Sequence, residues 1–100
     1  MEDSFLEFVV DQLRELPDVR SRRMFGGFGL YAGGIFFGIV YDDRLYFKTD
    51  EGSATNYVAR GMGSFRPNER QTLRNYYEVP PDIVDDREEL VVWASRALGV

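Results

Sequence analysis

Three glycines interleaved with aromatic residues in eight positions, Met24-Phe25-Gly26-Gly27-Phe28-Gly29-Leu30-Tyr31, constrain the fold of this chain more than any other feature. Glycine is used where φ must be positive or where another backbone comes close, whereas Phe25, Phe28, Leu30 and Tyr31 favour a buried sheet. The run therefore predicts a strand, a sharp turn or bulge at Gly26-Gly27, and a second strand. A phosphate-cradling loop is the alternative, with Arg22 and Arg23 just upstream. Loops of the Walker or Rossmann kind lead from a strand into a helix, however, and the residues after Gly27 read as strand.

The rest of the chain extends this pattern. Ser4 with Glu7 has the spacing of a capping box, and Phe5, Phe8, Val9, Leu13 and Leu16 recur at helical intervals, which predicts a first helix over residues 4–16. Its polar residues Glu7, Asp11, Gln12, Arg14 and Glu15 are expected to face solvent. A first strand over 20–25 precedes a meander of strands over 28–31, 34–41 and 44–49, with Ala32-Gly33-Gly34 and Asp42-Asp43 as turns. The apolar run Ile35, Phe36, Phe37, Ile39 and Val40 marks the middle strand as central. In the next strand Leu45 and Phe47 alternate with Tyr46 and Lys48, so one face should meet the core and the other solvent or a partner.

A short helix is expected over 53–60, with Tyr57 and Val58 inward and Gly61 as its stop; 61–67 reads as a loop or short edge strand, and 72–79 as the last strand. Pro80-Pro81 breaks the chain before a last helix from about 85 or 86 to 98, whose face is Leu90, Trp93, Ala94, Ala97 and Leu98. The sum is a two-layer α+β domain spanning residues 1–100: an antiparallel sheet of about five strands flanked by N- and C-terminal helices.

Composition removes much of enzymology. There is no cysteine and no histidine, so thiol chemistry, thiolate metal sites and the commonest general base are absent. Ser4, Ser21, Ser53, Ser64 and Ser95 have no histidine partner, and Lys48 stands at no telling spacing from any of them. Asp42-Asp43 and Asp50-Glu51 lack the spacing of a calcium loop. No catalytic residue, cofactor or metal is expected. No apolar run approaches the ~20 residues of a membrane helix, and Met1-Glu2-Asp3 opens without a basic signal segment, so a cytoplasmic location is expected.

The net charge of −5 is unevenly spread: residues 1–19 carry −5, residues 20–74 carry +4 and residues 75–100 carry −4. A basic middle between acidic ends suits an anionic partner if the fold gathers it into a patch.

The glycine run, together with Gly34-Ile35-Phe36-Phe37-Gly38-Ile39-Val40, Asp43-Arg44-Leu45-Tyr46-Phe47-Lys48, Gly61-Met62-Gly63-Ser64-Phe65, Tyr76-Tyr77-Glu78-Val79-Pro80 and Trp93-Ala94, resembles the N-terminal domain family of TfoX/Sxy, regulators associated with bacterial competence for DNA uptake. Such regulators also carry a second, C-terminal domain, and the matching pieces all belong to the first. The resemblance implies a secretion-chaperone-like fold and a non-enzymatic role in transcriptional regulation. It also implies partnership with a cyclic-AMP-receptor-type activator or with the transcription machinery.

Arg20, Arg22, Arg23, Tyr46 and Lys48 are the candidate partner-binding residues, and Met24, Phe25, Gly26, Gly27, Gly29 and Tyr31 form the structural motif. In a strand, Arg20 and Arg22 share one face and Arg23 takes the other. Guanidinium groups on a rigid strand are forks for carboxylate or phosphate, although arginines there also guard an edge against aggregation. Arg60, Arg66, Arg70 and Arg74 are candidates to extend the basic surface, and an exposed sheet face or edge also allows a homodimer. Two other functions remain open. One is direct nucleic-acid binding, with Tyr46 and Lys48 or Tyr76 and Arg74 as stacking and phosphate groups. The other is a small-ligand pocket near Gly26-Gly27.

Overall fold

The computed structural model describes residues 3–24, 26–68 and 70–99. Asp3 caps the first helix, α1 (Ser4–Gln12): its carboxylate accepts from the backbone N–H groups of Phe5 and Leu6, both at 3.0 Å. The expected Ser4 cap is thus displaced by one residue, because Asp3 reaches two orphan amides at once and leaves Glu7 too far along the helix to close a box. α1 also ends earlier than expected. Leu13 is its C-cap, the N–H groups of Arg14 and Leu16 donate three residues back in tight turns, and Asp18 at φ 58° turns the chain into the first strand.

Six strands follow in one antiparallel sheet of order β1-β2-β3-β4-β6-β5: β1 (Val19–Met24), β2 (Gly27–Ala32), β3 (Ile35–Tyr41), β4 (Arg44–Lys48), β5 (Ser64–Asn68) and β6 (Gln71–Glu78). The segment after Gly61 resolves as the edge strand β5, which raises the count above the expected five. Gly33 and Gly34 join β2 to β3, Asp42 and Asp43 join β3 to β4, and all four have positive φ. Two-residue turns of that kind match the twist of the strands they connect.

Between β4 and β5 lies α2 (Glu51–Ala59), capped reciprocally by Asp50 and Ser53; the Ser53 backbone N–H, as the first cause, holds the Asp50 carboxyl below its usual pKa. It ends as the sequence predicts, with Gly61 at φ 76° and the N–H groups of Gly61 and Met62 donating to Val58 O and Tyr57 O. Val58 faces solvent rather than the core, and of the two Tyr57 makes the inward anchor. The diproline begins a helix instead of only breaking one: Pro81 is the first residue of α3 (Pro81–Asp85), where its missing N–H costs nothing. Asp86 then ends α3 and caps α4 (Arg87–Leu98) through the Glu89 N–H. Among the described residues no helix is long and apolar enough to cross a membrane.

The helices cover one face of the sheet. Val9 of α1 and Leu13 at its C-terminal cap, Tyr57 of α2, Ile83 and Val84 of α3, and Leu90 and Ala94 of α4 pack on Leu30, Phe37, Leu45 and Phe47. Gln12, expected in solvent, is buried here and donates from Nε2 to the Val84 carbonyl at 3.0 Å, tying α1 to α3.

On the face without helices a second apolar cluster forms from Ile39, Tyr46, Phe65 and Tyr76, flanked by Phe36, Tyr41 and Leu73. A bulge makes this division possible. Leu30 pairs with Gly38 and Tyr31 with Phe36, which leaves Phe37 as an extra residue in β3. Strict alternation would place Phe36 and Val40 on one face; the bulge turns Phe36 to the helix-free cluster and Val40 to the helix-side core.

Candidate partner-binding face

Charge sorts with secondary structure. The strands carry Arg20, Arg22, Arg23, Arg44, Lys48, Arg66 and Arg74, with Glu78 as their single acid. Acids concentrate instead in the helices and turns, including Glu7, Asp11, Glu51, Asp82, Asp85, Glu88 and Glu89. The basic middle of the sequence thus becomes a basic sheet backed by an acidic helical layer.

β1 is an edge strand, and its register fixes where its arginines point. Arg20 lies opposite Tyr31, Arg22 opposite Gly29 and Met24 opposite Gly27, while Arg23 lies opposite Phe28. Arg20 and Arg22 therefore share one face, as the sequence predicts, and that face is the helix-free one, while Arg23 takes the helix side, its guanidinium 5.4 Å from the Phe28 ring centre. Arg22 reaches over the Tyr31 ring at 6.0 Å. Arg20 is held by Asp18 at 2.8 Å, and this hydrogen bond raises the guanidinium pKa above its ordinary value. Arg22, Arg23 and Lys48 form no ion pair among the described residues.

Tyr46 and Lys48 separate. Lys48 is exposed opposite Tyr76, but Tyr46 is only 8% exposed because Phe65 of β5 packs against it edge to face, ring centres 4.9 Å apart. Burial, and secondarily the Glu78 carboxylate, raises its phenol pKa. Alternation in β4 correctly separates two faces; it carries no sign that β5 folds back to cover one of them. Arg60 does not extend the basic surface, since it pairs with Asp82 at 3.1 Å and lies over Trp93. Arg66, Arg70 and Arg74 are exposed.

The aromatic row on the helix-free face is packed against itself. Tyr31 stacks on Phe36, and Phe36 leans on Tyr76, with ring centres 5.1 Å apart in both pairs. The Tyr76 hydroxyl donates to the Phe36 carbonyl at 3.2 Å. Burial, with a smaller contribution from Tyr31, pushes the Tyr76 phenol up to about 12. Because the fold favours the neutral phenol, this contribution to stability is intact below pH 10.0 and is lost as pH rises through about 12. Absorbance titration is expected to show this late phenol in the parent chain and to lose it in Tyr76→Phe; an unchanged titration curve would refute the assignment.

The glycine run has a structural explanation at each described position. Gly26 takes φ 79° in the turn; Gly27 lies against the Val40 carbonyl and Tyr41, and Gly29 beneath Met24 and Phe36. Gly27 opens β2 rather than a helix, so a phosphate loop of Walker or Rossmann form does not arise. Phe25 lies outside the described residues. Two pockets of about 100 and 110 Å³ lie elsewhere, one lined by Phe5, Leu45, Val79 and Val84, the other by Tyr57, Val92 and Trp93. Both fall short of the roughly 300 Å³ at which small-molecule sites begin; a larger space of about 480 Å³ beside Leu6, Val10 and Ser21 is an open groove, away from Gly26-Gly27. Among the described residues no group of three or more acids is placed to hold a metal ion.

A sheet patterned in this way, with its glycine hairpin, its paired two-residue turns and its closing helices, accounts for nearly every motif singled out in the sequence. The family model for the TfoX N-terminal domain matches residues 11–100. A search of curated proteins finds no match. With the match running from the last turn of α1 to the end of the chain, the protein belongs to the TfoX N-terminal domain family.

Proposed function

We propose that this domain is a non-enzymatic regulatory module that works by binding a protein partner through the basic edge and face of its sheet. The supporting observation is the segregation of charge: Arg22, Arg23 and Lys48 stand on strands, exposed and without ion pairs among the described residues, while most acids lie in the helices and turns. Family membership links the chain to competence-related regulation, and the partner is a cyclic-AMP-receptor-type activator or a component of the transcription machinery. Tyr46 is not part of the surface, because Phe65 covers it.

Direct nucleic-acid binding would draw on the same cations. Its stacking platform is compromised, however, since Tyr76 is 5% exposed and Phe36 is sandwiched between Tyr31 and Tyr76. The two readings separate in an affinity capture from host lysate, run with and without nuclease, comparing the parent chain with Arg22→Ala/Arg23→Ala. The expected result is nuclease-resistant recovery of a transcription factor or polymerase subunit that the double variant loses, with its thermal midpoint within a few degrees of the parent. Recovery that vanishes with nuclease would replace the adaptor reading with the nucleic-acid one. A large fall in midpoint would place the arginines in a structural network instead.

A further inference from the structure

The side of β1 that faces away from β2 is open, and one hydrogen bond fixes which backbone groups it presents. Gly33 N–H donates to the Asp18 carbonyl at 3.4 Å, and β1 then pairs with β2 residue for residue, from Val19 with Ala32 to Met24 with Gly27. Antiparallel pairs alternate between bonded and non-bonded. Arg20, Arg22 and Met24 therefore bond inward like Asp18, while Val19, Ser21 and Arg23 turn their N–H and C=O groups outward. None of the described residues bonds those outward groups. The opposite edge is blunted: β5 pairs with β6 across two register breaks and contains Pro67, which has no N–H.

An open groove of about 480 Å³ runs beside this edge on the helix side, lined by Leu6, Glu7, Val10, Asp11, Arg14 and Ser21. Leu6 and Val10 are only half-buried. A strand added to β1 sends alternate side chains to the two faces, one set beside Arg20 and Arg22 and the other toward Leu6 and Val10. We propose that the β1 edge and the α1 groove form one strand-addition site for an extended partner segment in which acidic and apolar residues alternate. The inference rests on the partner-binding reading above and names the chemistry of that partner.

Competing occupants fit less of the site. A second copy paired through β1 about a two-fold axis at Ser21 sets Arg20 opposite Arg22, and an axis at Arg22 sets that residue opposite itself; like charges directly opposite are destabilising. A nucleic-acid strand would answer the arginines but has neither a peptide ladder to extend the sheet nor apolar side chains for Leu6 and Val10.

The test is residue-resolved amide exchange on the full chain, titrated with a capped peptide of alternating Glu and Val as long as β1. A Lys-Val peptide and a single-stranded oligonucleotide form the other arms. The Glu-Val peptide is expected to slow exchange at Val19, Ser21 and Arg23 and to leave Arg20 and Arg22, already bonded inward, unchanged. Ser21→Pro removes an outward N–H that no internal bond uses and is expected to weaken binding about tenfold. If Ser21→Pro fails to fold, Arg22→Glu serves, with the Glu-Val peptide lost and the Lys-Val peptide gained. Slowing confined to other elements, equal binding of both peptides, or preference for the oligonucleotide would overturn the proposal. Slowing at the same three amides with rising chain concentration alone would assign the edge to a second copy. Loss of the lysate partner in Arg22→Ala/Arg23→Ala, with no effect of peptide at the edge amides, would overturn strand addition while leaving partner binding through the arginine side chains intact.

Discussion

A Gly27→Ala chain is expected to lose about 3 kcal/mol of folding stability and about 15 °C of thermal midpoint. A methyl group at this position would overlap the Val40 carbonyl oxygen and press on Tyr41 Cδ1 at 3.1 Å and Tyr41 Cα at 3.2 Å. Two of those three atoms are backbone of the central strand, so relief requires β2 to move off β3. Gly29→Ala provides the contrast. There a methyl would meet Met24 Sδ at 2.7 Å, Met24 Cε at 2.8 Å and Phe36 Cε1 at 3.1 Å; all three are side-chain atoms, and a thioether with three rotatable bonds can swing away while the ring gives slightly, for a cost of about 1–2 kcal/mol. Part of either cost is offset by the lower unfolded-state entropy of alanine, about 0.5–1 kcal/mol. Urea unfolding of the two variants beside the parent decides the matter. Equal losses, or none at Gly27, would mean that the run is set by turn conformation at Gly26 alone.

That contrast also shows how far the sequence can be read. Glycines next to aromatics announce a hairpin and close packing, and the order of strands and helices follows from periodicity and turn chemistry. The three-residue offset between Ser4 and Glu7 mimics a cap, but Asp3 competes for the same amides and wins by bonding two of them. Gln12 reads as surface because its polarity hides a long-range partner, the Val84 carbonyl, which exists only once α3 has docked. The extra residue at Phe37 is invisible in a continuous apolar run, since every nearby position is hydrophobic whichever face it takes. The cap is decided between neighbours, whereas Gln12 and Phe37 are decided by partners remote in sequence.

Charge tells the same story at a larger scale. Local counts of acids and bases in the three segments give the correct signs, yet only the fold shows that the bases of the middle segment stand mostly on strands and that the acidic segments are mostly helix and turn. A two-layer sandwich converts that linear order into two oppositely charged layers. The candidate edge illustrates the limit: Arg20, Arg22 and Arg23 are legible as strand arginines, whereas the groove beside them needs Leu6 and Val10 from α1.

Phe65→Ala is expected to be the more damaging aromatic truncation, at about 4 kcal/mol and about 20 °C of midpoint. Phe65 is 1% exposed although it sits on an edge strand and on the face that no helix covers. Its ring meets Tyr46 at 4.9 Å and Tyr41 at 5.4 Å between centres, both edge to face. The pairing of β5 with β6 passes from Ser64–Tyr77 to Phe65–Leu73 across a register break, so the backbone ladder alone holds β5 poorly and the buried ring is its anchor. Truncation should therefore do more than open a cavity: it should free β5 from β6 and uncover Tyr46. Calorimetry reads the first effect, and alkaline titration the second, because the Tyr46 phenol, raised chiefly by burial, should move back toward its ordinary value. Phe8→Ala, removing a ring that is 41% exposed on α1, is the control and should cost less than about 1 kcal/mol. Comparable losses in the two variants would show that the helix-free cluster is not a second core; a large loss confined to Phe65→Ala would show that the sheet carries cohesive packing on both faces.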